Sequence, residues 1–135
     1  MHLVDTSVWI EFLRRSGSLA IQARLRPIIL SGQTALADWM ILELMTGLGT
    51  TEKPAELLDR LSPVHRLPFP DDGWQRSWDL ASRLRKRGVT PSAADCYIAT
   101  IAMAAGVPLI HCDADFEVMA RHSALRTYDW TADLR

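Results

Sequence analysis

Cysteine is scarce: Cys96 and Cys112 are the only two in 135 residues. That excludes a disulfide framework and suits a reducing compartment. Long apolar runs are also missing. The richest stretch, Ile98 to Ile110, is interrupted by Thr100, Gly106 and Pro108, and it falls short of the ~20 residues a membrane span needs. The amino terminus, Met1-His2-Leu3-Val4-Asp5, meets a carboxylate at once and lacks the basic segment and apolar stretch of an export signal. The expectation is a soluble, cytoplasmic protein that makes no use of a membrane. Neither sign of charge is in excess, since 15 Lys and Arg oppose 16 Asp and Glu for a net charge of -1. A protein that coats nucleic acid by bulk basicity is thereby excluded. Nucleic acid, if bound, must be held by a local patch or through metal ions. Neither Gly-x-x-x-x-Gly-Lys-[Ser/Thr] nor Gly-x-Gly-x-x-Gly occurs, so use of a nucleotide cofactor is unsupported. No repeat, low-complexity tract or linker divides the chain.

What is present is a chain that is 48% apolar and long enough to bury one core without staples. We read residues 1–135 as one domain. Short apolar strands alternate with helical patterns. His2 to Val4 reads as a buried strand, followed by a helix from Thr6 to Arg14. A second helix covers Leu19 to Leu30, with Pro27 expected to kink it or end it early. Gln33 to Leu36 is the next strand. Asp38 is expected to cap a helix to about Thr46, stopped by Gly47 and Gly49, and Thr51 to cap another with Pro54 in its first turn, running to Leu61. Val64 to Leu67 reads as a weak strand. Asp71-Asp72 opens a long helix ending at Gly88, and Ser92 opens one reaching Ala105. Pro108 to Cys112 is a strand, Asp113 opens a short helix to Arg121, and Leu125 to Tyr128 is a last strand. Such alternation predicts an α/β fold with a mostly parallel sheet and helices on both faces.

In a sheet of this kind ligands bind beyond the carboxyl ends of the strands. Asp5 and Asp113 stand there, and Asp115 lies just beyond Asp113. Asp95 shares its helix face with Ile98, Ala99 and Ala102, which places it near the inward stripe. Glu43 is the only charge between Asp38 and Glu52. Each acid alone has an ordinary reading. Asp5 and Asp113 can be helix caps, Asp95 completes the Ser-x-x-Asp capping pattern after Ser92, Glu43 can lie on a solvated edge, and Asp115 suits the positive end of a helix. Jointly they form a cluster with no Lys or Arg interleaved. Converging carboxylates are costly unless protons or cations relieve them.

Carboxylate oxygens suit hard ions, Mg²⁺ or Mn²⁺. Zinc is disfavoured, because His111 is the only histidine near the cluster and no His-x-x-x-His or Cys-x-x-Cys occurs. His111 reads more simply as a satisfied core histidine, and both cysteines as core fillers. Most of Trp9, Trp39, Trp74, Trp78 and Trp130 are expected in the core, with one or two left to line a partner's groove or a dimer face.

Leu3-Val4-Asp5-Thr6-Ser7-Val8-Trp9-Ile10 resembles the opening of PIN-domain ribonucleases, in particular the VapC-type toxins of prokaryotic toxin–antitoxin pairs. The likeness continues at Ile41-Leu42-Glu43-Leu44-Met45-Thr46-Gly47 and at Arg85-Lys86-Arg87-Gly88. It returns at Ser92-Ala93-Ala94-Asp95-Cys96-Tyr97-Ile98-Ala99 and closes with Leu109-Ile110-His111-Cys112-Asp113-Ala114-Asp115-Phe116. The first and last motifs are the specific ones. The resemblance implies a PIN-like α/β/α sandwich with a mostly parallel sheet of four to five strands. It implies a Mg²⁺- or Mn²⁺-dependent endoribonuclease whose catalytic acids are Asp5, Glu43, Asp95 and Asp113. The implied metal ligands are Asp5, Asp95, Asp113 and Asp115. It further implies transfer RNA or ribosomal RNA as substrate, a cognate VapB-type antitoxin, and a homodimer that joins the antitoxin in a hetero-oligomer. The departures are Trp39, which is bulky for its place before Glu43, and Ala114, where the family often carries a basic or polar residue. Candidate RNA contacts are Arg83, Arg85, Lys86 and Arg87, with Thr6 and Ser7 at a helix start. The plain alternatives are a solvated helix end and a helix cap.

Rival readings are weaker. An inactive scaffold need not retain all four acids, a receiver-type switch needs a lysine near the last strand and none follows Lys86, and a haloacid-type phosphatase needs an aspartate where Ser7 stands.

Overall fold

The computed structural model of the chain describes residues 1–47 and 51–134. Five strands, β1 (His2–Val4), β2 (Thr34–Leu36), β3 (His65–Arg66), β4 (Leu109–His111) and β5 (Thr127–Asp129), form one sheet in the order β3-β2-β1-β4-β5. Every pairing in it is parallel, with Leu3 beside Ala35 on one side and Leu109 on the other. Parallel neighbours demand long crossovers, and the helices supply them. They are α1 (Thr6–Leu13), α2 (Leu19–Leu30), α3 (Asp38–Met45), α4 (Pro54–Leu61), α5 (Gly73–Lys86), α6 (Ala93–Ala105) and α7 (Ala114–Ala120). A short 3-10 turn, Thr131–Asp133, follows β5.

The central strands β1, β2 and β4 are mostly apolar and, apart from His2, buried, as strands covered on both faces are. Leu3, Val4, Leu36, Leu109 and Ile110 join Trp9, Ile21, Leu25, Ile98, Ile101 and Phe116 in one core cluster. Each fully buried aliphatic chain contributes about 1.5–3 kcal/mol relative to exposure. Helices α5 and α6 are also joined by a buried relay. The Ser77 hydroxyl donates to Thr100 Oγ1 at 2.9 Å, and the Thr100 hydroxyl donates to the Cys96 carbonyl at 2.8 Å. The turn between α1 and α2 closes on Gly17, where a Cβ atom would lie 1.8 Å from the Glu11 carbonyl oxygen.

Several sequence expectations are corrected. Pro27 does not end α2, which runs on to Leu30. It is exposed, so the carbonyl its ring leaves unpaired meets water. Asp38 is the first residue of α3, not its cap; the cap is Ala37, without a side-chain bond. The Asp38 carboxylate pairs instead with Arg66 on β3. Lys53 rather than Thr51 caps α4, because Pro54 fixes the first helical position. Asp72 precedes α5 without a side-chain capping bond. The expected stop at Gly49 lies outside the described residues.

Three of the five tryptophans belong to the core or pack against it, and two are left on the surface. Trp9 and Trp130 are buried and Trp39 is half-buried, whereas Trp74 and Trp78 are 61% and 58% exposed. The buried stripe of α5 is Gly73, Ser77, Leu80 and Leu84, and the two indoles lie to one side of it, Trp74 against Phe69 and Tyr97. Cys112 is half-buried, not a core residue, while Cys96 is buried.

Candidate active site

Strand order reverses about β1, with β2 and β3 to one side and β4 and β5 to the other. The carboxyl ends of β1 and β4 therefore border the crevice where open parallel sheets bind ligands. Asp5 follows β1 and Asp113 nearly follows β4. The two strand ends are tied together, since Asp5 N–H donates to the Ile110 carbonyl at 2.9 Å.

Asp5 and Asp113 are both caps, and both belong to the crevice. Asp5 is 6% exposed, and its Oδ2 accepts the Ser7 N–H at 3.1 Å and the Ser7 hydroxyl at 2.5 Å. Ser7 Oγ in turn accepts the Cys112 N–H at 3.0 Å, clasping the start of α1 to the end of β4. Burial pushes the Asp5 carboxyl above its ordinary range and the nearby Asp113 charge adds to this, while the Ser7 bonds oppose it. Asp113 Oδ1 accepts the Asp115 N–H at 3.0 Å.

Asp95 sits in the first turn of α6, and its N–H donates to the Ser92 hydroxyl at 3.0 Å. Its pKa is pushed up to about 6, first by burial and then by Asp113, with smaller contributions from Asp5 and Asp115. Asp95, Asp113 and Asp115 each offer an oxygen within 4.8 Å of the others. Asp5 is outside that close set and meets it through its charge. Glu43 forms the other pole of the crevice. Its Oε1 accepts the Thr6 hydroxyl at 2.9 Å. Burial raises its pKa and the Asp5 charge reinforces the rise. The Trp39 indole N–H is buried without a hydrogen bond of normal geometry, yet its dipole lies close enough to favour the ionised Glu43.

No ion pair among the described residues engages Asp5, Glu43, Asp95, Asp113 or Asp115. Arg83 and Lys86 line a surface groove of about 540 Å³ with Arg76, Asp79 and Met103, and Arg85 and Arg87 are exposed. None of the four basic residues neutralises Asp95, whose charged surroundings are acidic. The hydroxyl protons of Thr6 and Ser7 are used on Glu43 and Asp5.

The donor set fits a hard divalent cation: all oxygen, several negative charges, and no counter-ion among the described residues. Burial and nearby acids push the half-buried Cys112 thiol up to about 12, and it is not one of the clustered groups. His111 is fully buried, as a core histidine was expected to be. Glu117 is a partner that sequence reading missed: its Oε1 lies 2.8 Å from His111 Nε2 and accepts the Thr127 hydroxyl at 2.6 Å. The Thr127 and His111 bonds hold the Glu117 pKa below its ordinary range. No local spacing announces this contact, which joins α7 to the edge strand.

A parallel sheet whose central strand ends gather carboxylates is a scaffold able to hold a divalent cation; the chain belongs to the PIN-domain family, whose model matches residues 2–122. Among curated proteins it is similar to Ribonuclease VapC11 of Mycobacterium tuberculosis (strain ATCC 25618 / H37Rv). The two are 32% identical over 132 residues, which cover 93% of this chain and 96% of the relative. The same identity and coverage relate it to VapC ribonuclease Mb1587 of Mycobacterium bovis. Among solved structures, FitAcB from Neisseria gonorrhoeae shares the fold at a TM-score of 0.73 and 22% identity, covering 96% of this chain and 97% of that one. VapBC2 from Rickettsia felis, bound to a DNA fragment from its promoter, matches at a TM-score of 0.76 and 18% identity, covering 96% and 98%. No helix among the described residues is long and apolar enough to cross a membrane.

Proposed function

We propose that this chain is a Mg²⁺- or Mn²⁺-dependent endoribonuclease toxin of the VapC kind, cleaving phosphodiester bonds of transfer or ribosomal RNA. The observation that carries the reading is the cluster of Asp95, Asp113 and Asp115, which Asp5 and Glu43 flank and which no cationic side chain among the described residues neutralises. The curated relatives named as VapC ribonucleases support it.

In this reading Asp95, Asp113 and Asp115 hold the ion, and Asp5 completes the negative field. A bound Mg²⁺ or Mn²⁺ supplies water of lowered pKa and screens the phosphate charge. Glu43 serves as the proton acceptor. It is held by Thr6, and a carboxyl with a raised pKa is a better base for an attacking water. Water adds to phosphorus as the P–O3′ bond breaks, leaving a 5′-phosphate and a 3′-hydroxyl. Arg83, Arg85, Lys86 and Arg87 take the RNA backbone at the end of α5. A cognate VapB-type antitoxin restrains the enzyme in a hetero-oligomer built on a toxin homodimer, and the place of action is the cytoplasm. Residues 1–135 act as one domain.

The test is incubation of the purified chain with total RNA. Cleavage should require Mg²⁺ or Mn²⁺, stop on chelation and return on re-addition. Cleavage that survives exhaustive chelation, or that returns only with Zn²⁺, overturns the reading.

A further inference from the structure

His111 fills the last position of β4, and its ring is fully buried against Phe116, with centroids 5.4 Å apart. Its Nδ1 accepts the N–H of Asp113 at 3.1 Å. A nitrogen that accepts from an amide carries no proton, so the proton of the neutral ring is on Nε2. That nitrogen faces Glu117 Oε1 at 2.8 Å, to which it donates, and the same oxygen accepts from Thr127 at 2.6 Å. A continuous chain of hydrogen bonds thus runs from edge strand β5, through α7 and the buried ring, to the main chain of Asp113. Because both ring nitrogens are engaged, the ring cannot flip without breaking two bonds.

We propose that His111, oriented by Glu117 and Thr127, is a positioning residue that fixes the Asp113 carboxylate for the divalent cation. This rests on the reading of Asp113 as a ligand. His111 is not itself a ligand, because Nδ1 is used by the backbone and Nε2 by Glu117. The arrangement does for Asp113 what partners behind a ligand generally do: it sets orientation before the ion arrives.

The experiment is titration of the full chain with Mn²⁺, followed by the electron paramagnetic resonance signal of the free ion. Glu117→Ala should weaken Mn²⁺ binding about 10–100-fold. Glu117→Gln should bind as the unsubstituted chain does, because its amide oxygen accepts from both His111 and Thr127. Nitrogen NMR of the His111 ring should show the proton on Nε2 in all three chains, hydrogen-bonded in the unsubstituted chain and in Glu117→Gln, and without that bond in Glu117→Ala. Unchanged Mn²⁺ affinity in Glu117→Ala overturns the proposal. If that variant does not fold, unchanged affinity in Thr127→Val, which removes only the hydroxyl that anchors Glu117, overturns it equally. Asp113→Asn separates the two levels. If it binds Mn²⁺ normally, the carboxylate site itself is wrong. If it loses Mn²⁺ while Glu117→Ala does not, the positioning role alone is wrong.

Discussion

Replacing Asp95 by asparagine should make the metal-free protein more stable. The Asp95 pKa stands at about 6 against an ordinary 3.8 because burial and the neighbouring acids disfavour its charge. For a group sealed from water such a rise corresponds to about 3 kcal/mol. Asp95 is partly exposed and solvent screens its neighbours, so we take about 1–1.5 kcal/mol. The folded chain keeps the Asp95 proton to higher pH than the unfolded chain does. Stability is therefore lost as pH rises from near 3.8 to about 6, and the loss is complete above that. Asp95→Asn escapes the loss. At pH 7 in chelator it should melt about 3–6 °C higher than the unsubstituted chain, an advantage that shrinks below pH 6 and vanishes near 3.8. Mn²⁺ should reverse the order, since at a hundred times its dissociation constant it stabilises a binding chain by about 2.7 kcal/mol. Thermal melts with and without Mn²⁺ across this range are the assay. A lower metal-free melting temperature for the variant at pH 7, or an equal Mn²⁺ gain in both chains, refutes the reasoning.

Asp5→Asn should abolish RNA cleavage yet leave the metal-free melting temperature unchanged or raised, because the amide oxygen still accepts both Ser7 bonds and a buried charge is gone; full cleavage by this variant removes Asp5 from the chemistry. Gly17→Ala should cost more than about 3 kcal/mol in a denaturant titration, since the new methyl would sit 1.8 Å from the Glu11 carbonyl; an unchanged midpoint contradicts the tight turn. The double change Arg83→Ala, Arg85→Ala should weaken RNA binding and flatten its salt dependence without altering Mn²⁺ affinity, and a filter-binding series at several salt concentrations decides it.

How much of this was legible in the sequence varies with the range of the interaction. The strands β1 and β4 show themselves as short, mostly apolar segments with an aspartate one or two residues on, and Ser92 is visible as a cap because its bond to Asp95 N–H spans only three positions. Asp38 and Thr51 deceived because capping competes with partners the local sequence does not reveal. Arg66 claims the Asp38 carboxylate from another strand, and Pro54 sets its own helix start. The exposure of Trp74 and Trp78 follows from α5's phase, which the buried Leu80 and Leu84 set. In the crevice, the sequence supplies the acids but not their grouping. That Asp115 joins Asp95 and Asp113 while Asp5 stands slightly apart is decided by helix ends meeting in space. The His111–Glu117–Thr127 chain was invisible for the same reason.

The place of β1 in the sheet has a consequence for how the molecule comes into being. Leu3 must wait for Leu109, and Val4 for Ile110, before the middle of the sheet can close. Until then Asp5 has no neighbour in Asp113, and Asp95, though its helix can pack on α5, lacks both Asp113 and Asp115. A polypeptide still emerging from the ribosome therefore carries the ingredients of the crevice without the crevice. Whatever chemistry the crevice performs can begin only after Asp113 and Asp115 have been made and β4 has closed beside β1.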